Sequence, residues 1–135
     1  MGAALAKAKH PAGRRGEPII RTIPMPADLN GNGDVFGGWV LSQMDVAGGV
    51  IAARQAQGRV ATVAVEAMAF HRPIYVGDLV SLYGRVSKVG RTSIQVHIET
   101  VVERRDRTEP ITVTEGTFIY VAIDERGRPR PVPKG

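Results

Sequence analysis

Apolar and polar positions change period after residue 56, where a helical segment gives way to a long extended part. From residue 37 to 56 (GGWVLSQMDVAGGVIAARQA) apolar side chains fall on nearly every side of a helix. That predicts one buried helix of about twenty residues, on the order of 30 Å long. Gly48 and Gly49 lie inside it, each at a cost of about 1 kcal/mol relative to Ala. Close packing is the simplest reason: a face without side chains lets a sheet or a partner helix approach. Gly58 is expected to end the helix.

Beyond it the pattern is extended. Strands are predicted over 59–70, 78–89, 91–103 and 111–123. In the third, Ile94, Val96, Ile98, Thr100 and Val102 alternate with Gln95, His97, Glu99 and Val101, the period of a half-buried strand. In the last, Ile111, Val113, Ile119, Val121 and Ile123 are placed on one face. Pro73 stops the first of the four. Gly77-Asp78 and Gly90-Arg91 make tight turns, and 104–110 is a polar hairpin loop. Ahead of the helix, 17–25 (EPIIRTIPM) reads as a short first strand, and ADLNGNGD is a cluster of turn formers. Short turns imply antiparallel neighbours. The expected fold class is α+β: five antiparallel strands wrapped around one long helix. One helix cannot cover such a sheet, so joining of edge strands into a dimer is expected.

Composition adjusts this picture in two places. The formal charge of +5 sits in the ends: Lys7, Lys9, Arg14 and Arg15 precede residue 16, and four basic residues against two acids follow residue 123. Residues 16–123 carry ten basic and eleven acidic groups, which argues against a nucleic-acid footprint on the body. Segments 1–16 and 126–135 are expected as basic tails, the first disordered, around a domain at 17–125. There is no cysteine, compatible with a cytoplasmic location. No apolar run reaches the ~20 residues of a membrane span, so no membrane insertion is expected.

Candidate chemistry is sparse. Asp45 is the ionisable residue that stands out on an otherwise apolar helix. It is either on a wet stripe beside Ser42 and Arg54 or a general base. Gly37 and Gly38 open the helix, where free N–H groups attract developing negative charge. This is either an ordinary junction or an oxyanion hole. Lys88, Gly90, Arg91, Thr92 and Ser93 form a turn able to hold phosphates or simply to stay solvated. His10, His71 and His97 are scattered, no metal-ligand spacing occurs, and Met25, Met44 and Met68 read as core fillers.

The runs PADLNGNGDVFGGWVLSQMDVAGG (26–49) and GRVATVAVEAMAFHRPIYVGD (58–78), with VGRTSI (89–94) and FIYVAIDERGRPRPVP (118–133), resemble the YciA-like branch of the hotdog acyl-CoA thioesterases. The resemblance implies a hotdog fold and hydrolysis of acyl-CoA to free acid and CoA, with no cofactor beyond CoA itself. It implies that Asp45 is the catalytic carboxylate and that Gly37 and Gly38 bind the oxyanion, with Phe36 where relatives carry histidine. Asn30 maps near the thioester, Asp34 to a position that is a catalytic asparagine in another branch, and Thr62 to a water-orienting position on the strand expected at the dimer interface. Arg72, Lys88, Gly90, Arg91, Thr92 and Ser93 would contact CoA. Assembly as a dimer, and as a trimer of dimers, is implied. A dehydratase would need a histidine in or before the helix, and none is there. A non-catalytic acyl-CoA-binding module is the alternative.

Overall fold

The structure is a computed structural model that describes residues 16–106 and 109–134. Of the expected N-terminal tail only Gly16 falls within the described residues. The elements are β1 (Ile20–Thr22), a 3-10 turn (Pro26–Asp28), α1 (Gly37–Ala56), β2 (Val60–Phe70), β3 (Leu79–Val89), β4 (Ser93–Glu103) and β5 (Ile111–Ala122). They form one antiparallel sheet in the order β1-β3-β4-β5-β2. The first strand is shorter than the sequence suggests, because Pro24 and Pro26 bracket the chain as it leaves β3.

Helix α1 lies against one face of the sheet. Val40, Met44, Ala47, Gly48, Ala52 and Ala56 are its buried residues, one or two in each turn, as a core-facing stripe requires. They pack with Val80, Leu82, Ile94, Val96, Ile98 and Phe118 in a single core. The helix ends as expected near Gly58, but Gln57 takes the left-handed position, at φ 55°. Gly58 N–H donates to the Ala53 carbonyl (3.1 Å). The Arg130 guanidinium donates to the last helical carbonyl, Ala56 O (2.9 Å). A cation there also complements the negative end of the helix dipole.

Three expectations need correction. The C-terminal segment is not a tail beyond residue 125. Ile123 bridges Pro129, Arg130 N–H donates to Ala122 O and Val132 N–H to Arg91 O, and Val132 is buried in the core. Met25 is not a core filler: it is 60% exposed. The face of β5 is also reversed over its second half. Gly116, Phe118, Tyr120 and Ala122 turn inward, while Ile119 and Val121 lie on the outer face. Both faces of that strand are apolar, so periodicity alone cannot choose between them. A register shift between Thr100 and Val101 on β4 changes the parity opposite the start of β5.

The inward Tyr120 explains Gly48. A methyl group added there would collide with the Tyr120 hydroxyl and approach its ring to 3.0 Å. Tyr120 is 1% exposed and cannot swing aside. Gly48→Ala gains about 1 kcal/mol of helix propensity and loses roughly 2 kcal/mol to overpacking. The expected net effect is a destabilisation of about 1 kcal/mol, seen in thermal unfolding as a Tm lowered by a few degrees.

Edge strand β2 carries a bulge. Ala67 adopts φ 53°, and the register against β5 shifts between Glu66 and Ala69. The extra residue lets Met68 face Gly116 across the sheet. Val63, Val65 and Phe70 of this strand, with Val46 and Val50 of α1, are exposed.

Candidate active site

Asp45 lies two turns into α1, partly exposed, at the side of the helix nearest β2. Its Oδ1 accepts two hydrogen bonds. Thr62 Oγ1 donates at 2.7 Å, and the Tyr120 hydroxyl donates at 3.1 Å while also approaching Asp45 O at 2.9 Å. Thr62 and Tyr120 are directly opposite each other in the β2–β5 ladder. Sheet register therefore delivers both hydroxyls beneath one turn of the helix. Burial, and after it the negative charge of Asp45 and the hydrogen bond to it, hold the Tyr120 phenol well above its ordinary value. It therefore remains a donor at any working pH. Oδ2 takes no hydrogen bond from any described residue.

The helix start is 8 residues from Asp45. Phe36 is the N-cap and gives no side-chain cap. Its carbonyl accepts from Trp39 N–H (3.0 Å) and Val40 N–H (3.4 Å). The N–H groups of Gly37 and Gly38 have no acceptor among the described residues, and both residues are exposed. The loop before them is shaped by Asn30, whose Oδ1 accepts from Asn32 N–H (2.8 Å) and Asp34 N–H (3.1 Å). Phe36 N–H donates to Asp28 O and Val35 N–H to Ile74 O, fixing the entry to the helix. Asn30 and Asp34 thus sit beside the helix start. At ~1.5 Å per residue, Gly37 and Asp45 are about 12 Å apart along the axis. One carbonyl group cannot touch both within a single chain.

The residues expected to contact CoA also divide. Lys88, Gly90, Arg91, Thr92 and Ser93 form the β3–β4 turn, closed by Gly90 N–H to Ser93 O (2.8 Å). The turn borders an open groove with Gln55, Val132 and Lys134. Arg72 follows β2 at the other end of the sheet. Phe70 pairs with Thr114, and Ser93 with Val121, so seven residues of β5, about 23 Å, separate the two ends.

A family model described as the thioesterase superfamily matches residues 32–109. The chain belongs to the thioesterase superfamily. The matched span includes Gly37, Gly38, Asp45, Thr62 and the β3–β4 turn. The acyl-CoA thioester hydrolase YciA of Salmonella typhimurium is 52% identical over 123 residues, covering 88% of this chain and 92% of the relative. Among solved structures, a variant of HI0827, described as a hexameric broad specificity acyl-coenzyme A thioesterase, superposes with a TM-score of 0.85. It is 47% identical, over 88% of each chain, and is an alanine variant of one aspartate. Cj0915 of Campylobacter jejuni, described as a hexameric hotdog fold thioesterase, has a TM-score of 0.84 at 38% identity, over 88% of this chain and 92% of its own. The hotdog fold expected from the sequence is the fold observed.

In this thioesterase-superfamily chain, sequence reasoning missed Tyr120. Its signal was present: an aromatic residue with a polar tip, on a strand opposite a helix carrying two adjacent glycines. Assigning the inward face of β5 to the odd-numbered residues hid it. Among the described residues no cluster of three or more His, Cys, Asp or Glu could hold a metal ion. No helix among them is long and apolar enough to cross a membrane.

Proposed function

We propose that this chain hydrolyses acyl-CoA thioesters to a free carboxylic acid and CoA, with Asp45 of one subunit and the α1 start of a second facing the same carbonyl. The observation that carries this reading is a carboxylate with one oxygen tied to Thr62 and Tyr120 and the other unclaimed, at the open edge of the sheet. The superfamily membership and the similarity to YciA support the substrate class.

Asp45 Oδ2 takes a proton from water as the water oxygen attacks the thioester carbonyl carbon. Charge developing on the carbonyl oxygen meets the N–H groups of Gly37 and Gly38 from the neighbouring subunit. Collapse of the tetrahedral intermediate breaks the C–S bond. The thiolate leaves and takes the proton held on Asp45 Oδ2, giving CoA and acid and restoring the carboxylate. Attack by the carboxylate itself, through an anhydride that water then opens, gives the same products. Thiolate is a good leaving group, so one carboxylate suffices and the scheme needs no resident cofactor.

The assembly proposed is a dimer joined along β2, and three such dimers would make a hexamer, the state described for relatives such as Cj0915. Exposed Val46, Val50 and Val63 beside Asp45 would line the acyl channel. The nucleotide would lie at Lys88, Arg91, Thr92 and Ser93, and Arg72 could join them only from another copy.

Free thiol released from acyl-CoA esters, acetyl to palmitoyl, tests this directly. Turnover dependent on enzyme is expected. Binding of the esters without release of thiol would instead make this a non-catalytic acyl-CoA-binding module.

A further inference from the structure

Tyr120 has no part in the reaction as written, yet its hydroxyl ends on the reacting side chain. We infer that Tyr120 is a positioning residue for Asp45: it holds Oδ1 against the sheet so that Oδ2 is the oxygen presented to water. This rests on the thioesterase reading of the same site.

Three independent features support it. First, the hydroxyl lies 3.1 Å from Asp45 Oδ1 and 2.9 Å from Asp45 O, so its one proton is shared between the side-chain and main-chain oxygens of the same residue. That places the phenol oxygen directly beneath the turn of helix that carries Asp45. Second, the ring is immobile. Tyr120 is 1% exposed, stacks with Phe118 at 6.5 Å between centroids, and its tip occupies the space that Gly48 leaves open. A helix-interior glycine is a standing cost, and here the space it leaves is filled by this hydroxyl. Third, Thr62 donates to the same oxygen from the partner strand at 2.7 Å. Two donors on Oδ1 and none from the described residues on Oδ2 make the two oxygens unequal. The phenol stays protonated, and so a donor, because burial and the neighbouring charge oppose its ionisation.

The test compares wild type, Tyr120→Phe, Thr62→Val, Thr62→Ser and the double variant Tyr120→Phe/Thr62→Val. Tyr120→Phe removes one oxygen atom and keeps the ring. Its kcat is expected to fall on the order of 10-fold with KM within about twofold, as for a misplaced base rather than a lost binding contact. Thr62→Ser keeps activity within a few-fold of wild type, and the double variant departs from additivity because both hydroxyls share one oxygen. The carboxyl carbon of Asp45, followed by 13C NMR, supplies a readout that needs no turnover: its chemical shift differs between wild type and Tyr120→Phe, because one hydrogen bond to Oδ1 is gone.

Unchanged kcat and an unmoved Asp45 carboxyl resonance in Tyr120→Phe would overturn the inference and leave the thioesterase reading standing. A fall in kcat with that resonance unmoved would make Tyr120 a packing residue only. Were wild type to hydrolyse no acyl-CoA, the thioesterase reading would fall. The carboxyl resonance would still decide whether Tyr120 positions Asp45.

Discussion

Asp45→Asn is expected to lower kcat at least ~100-fold while acyl-CoA still binds. The substitution is chosen for what it preserves. Thr62 Oγ1 and the Tyr120 hydroxyl both donate to Oδ1, and an asparagine oriented with its oxygen toward them accepts the same bonds. Oδ2 then becomes an NH2 group, which neither takes a proton from water nor attacks a carbonyl. Packing beneath the helix is untouched, so melting temperature and circular dichroism should match wild type. Asp45→Ala would lose the same activity, but it would also take the side-chain acceptor from Thr62 and leave Tyr120 only the Asp45 carbonyl, and so mix a change in local packing into the result. Thiol release gives kcat, and calorimetry with a poorly hydrolysed acyl-CoA analogue gives binding. A variant within a few-fold of wild-type kcat would exclude Asp45 as base and as nucleophile alike, and would move the chemistry elsewhere on the chain.

The parts of this molecule legible in its sequence are those set by strong, local rules. An apolar run of helical length without Pro gave α1 its observed limits, 37–56. Period-2 alternation and turn formers gave four strands to within two residues at each end. Asp45 stood out because an ionisable group on an apolar helix is costly to bury. What was not legible depends on register between strands far apart in sequence. Thr62 meets Tyr120 only because β2 and β5 pair as they do, 58 positions apart. Parity along β5 is ambiguous because its outer face carries Ile119 and Val121, apolar but not buried against α1. Arg130 is a similar case. In the sequence it belongs to an Arg/Pro run expected as a basic tail, and only the fold brings it to the end of α1 as a cap. The split of the phosphate-binding candidates likewise follows from strand length: Arg72 and Arg91 lie at opposite ends of strands too long for one ligand contact to bridge easily.

The separation of about 12 Å between Gly37 and Asp45 on one helix yields the second large effect. Gly37 occupies the first helical position, where an N–H has no partner in the helix and proline is well tolerated. Phe36 before it has φ −55° and ψ 136°, a conformation that a following proline favours. An added side-chain carbon at Gly37 would meet the Phe70 ring at an ordinary 3.7 Å. Gly37→Pro should therefore fold, remove one candidate oxyanion donor, and lower kcat on the order of 100-fold. Mixing then identifies which chains build a site. With Asp45 and Gly37 drawn from different subunits of a symmetric dimer, a heterodimer of Asp45→Asn and Gly37→Pro chains contains one doubly damaged site and one intact site. Isolated through two affinity tags, it should recover about half of wild-type activity, and an unsorted equal mixture about a quarter. A site confined to one chain predicts no recovery in either preparation, since every site would keep one lesion. The regained fraction thus distinguishes a shared catalytic centre from a private one without any further structural measurement.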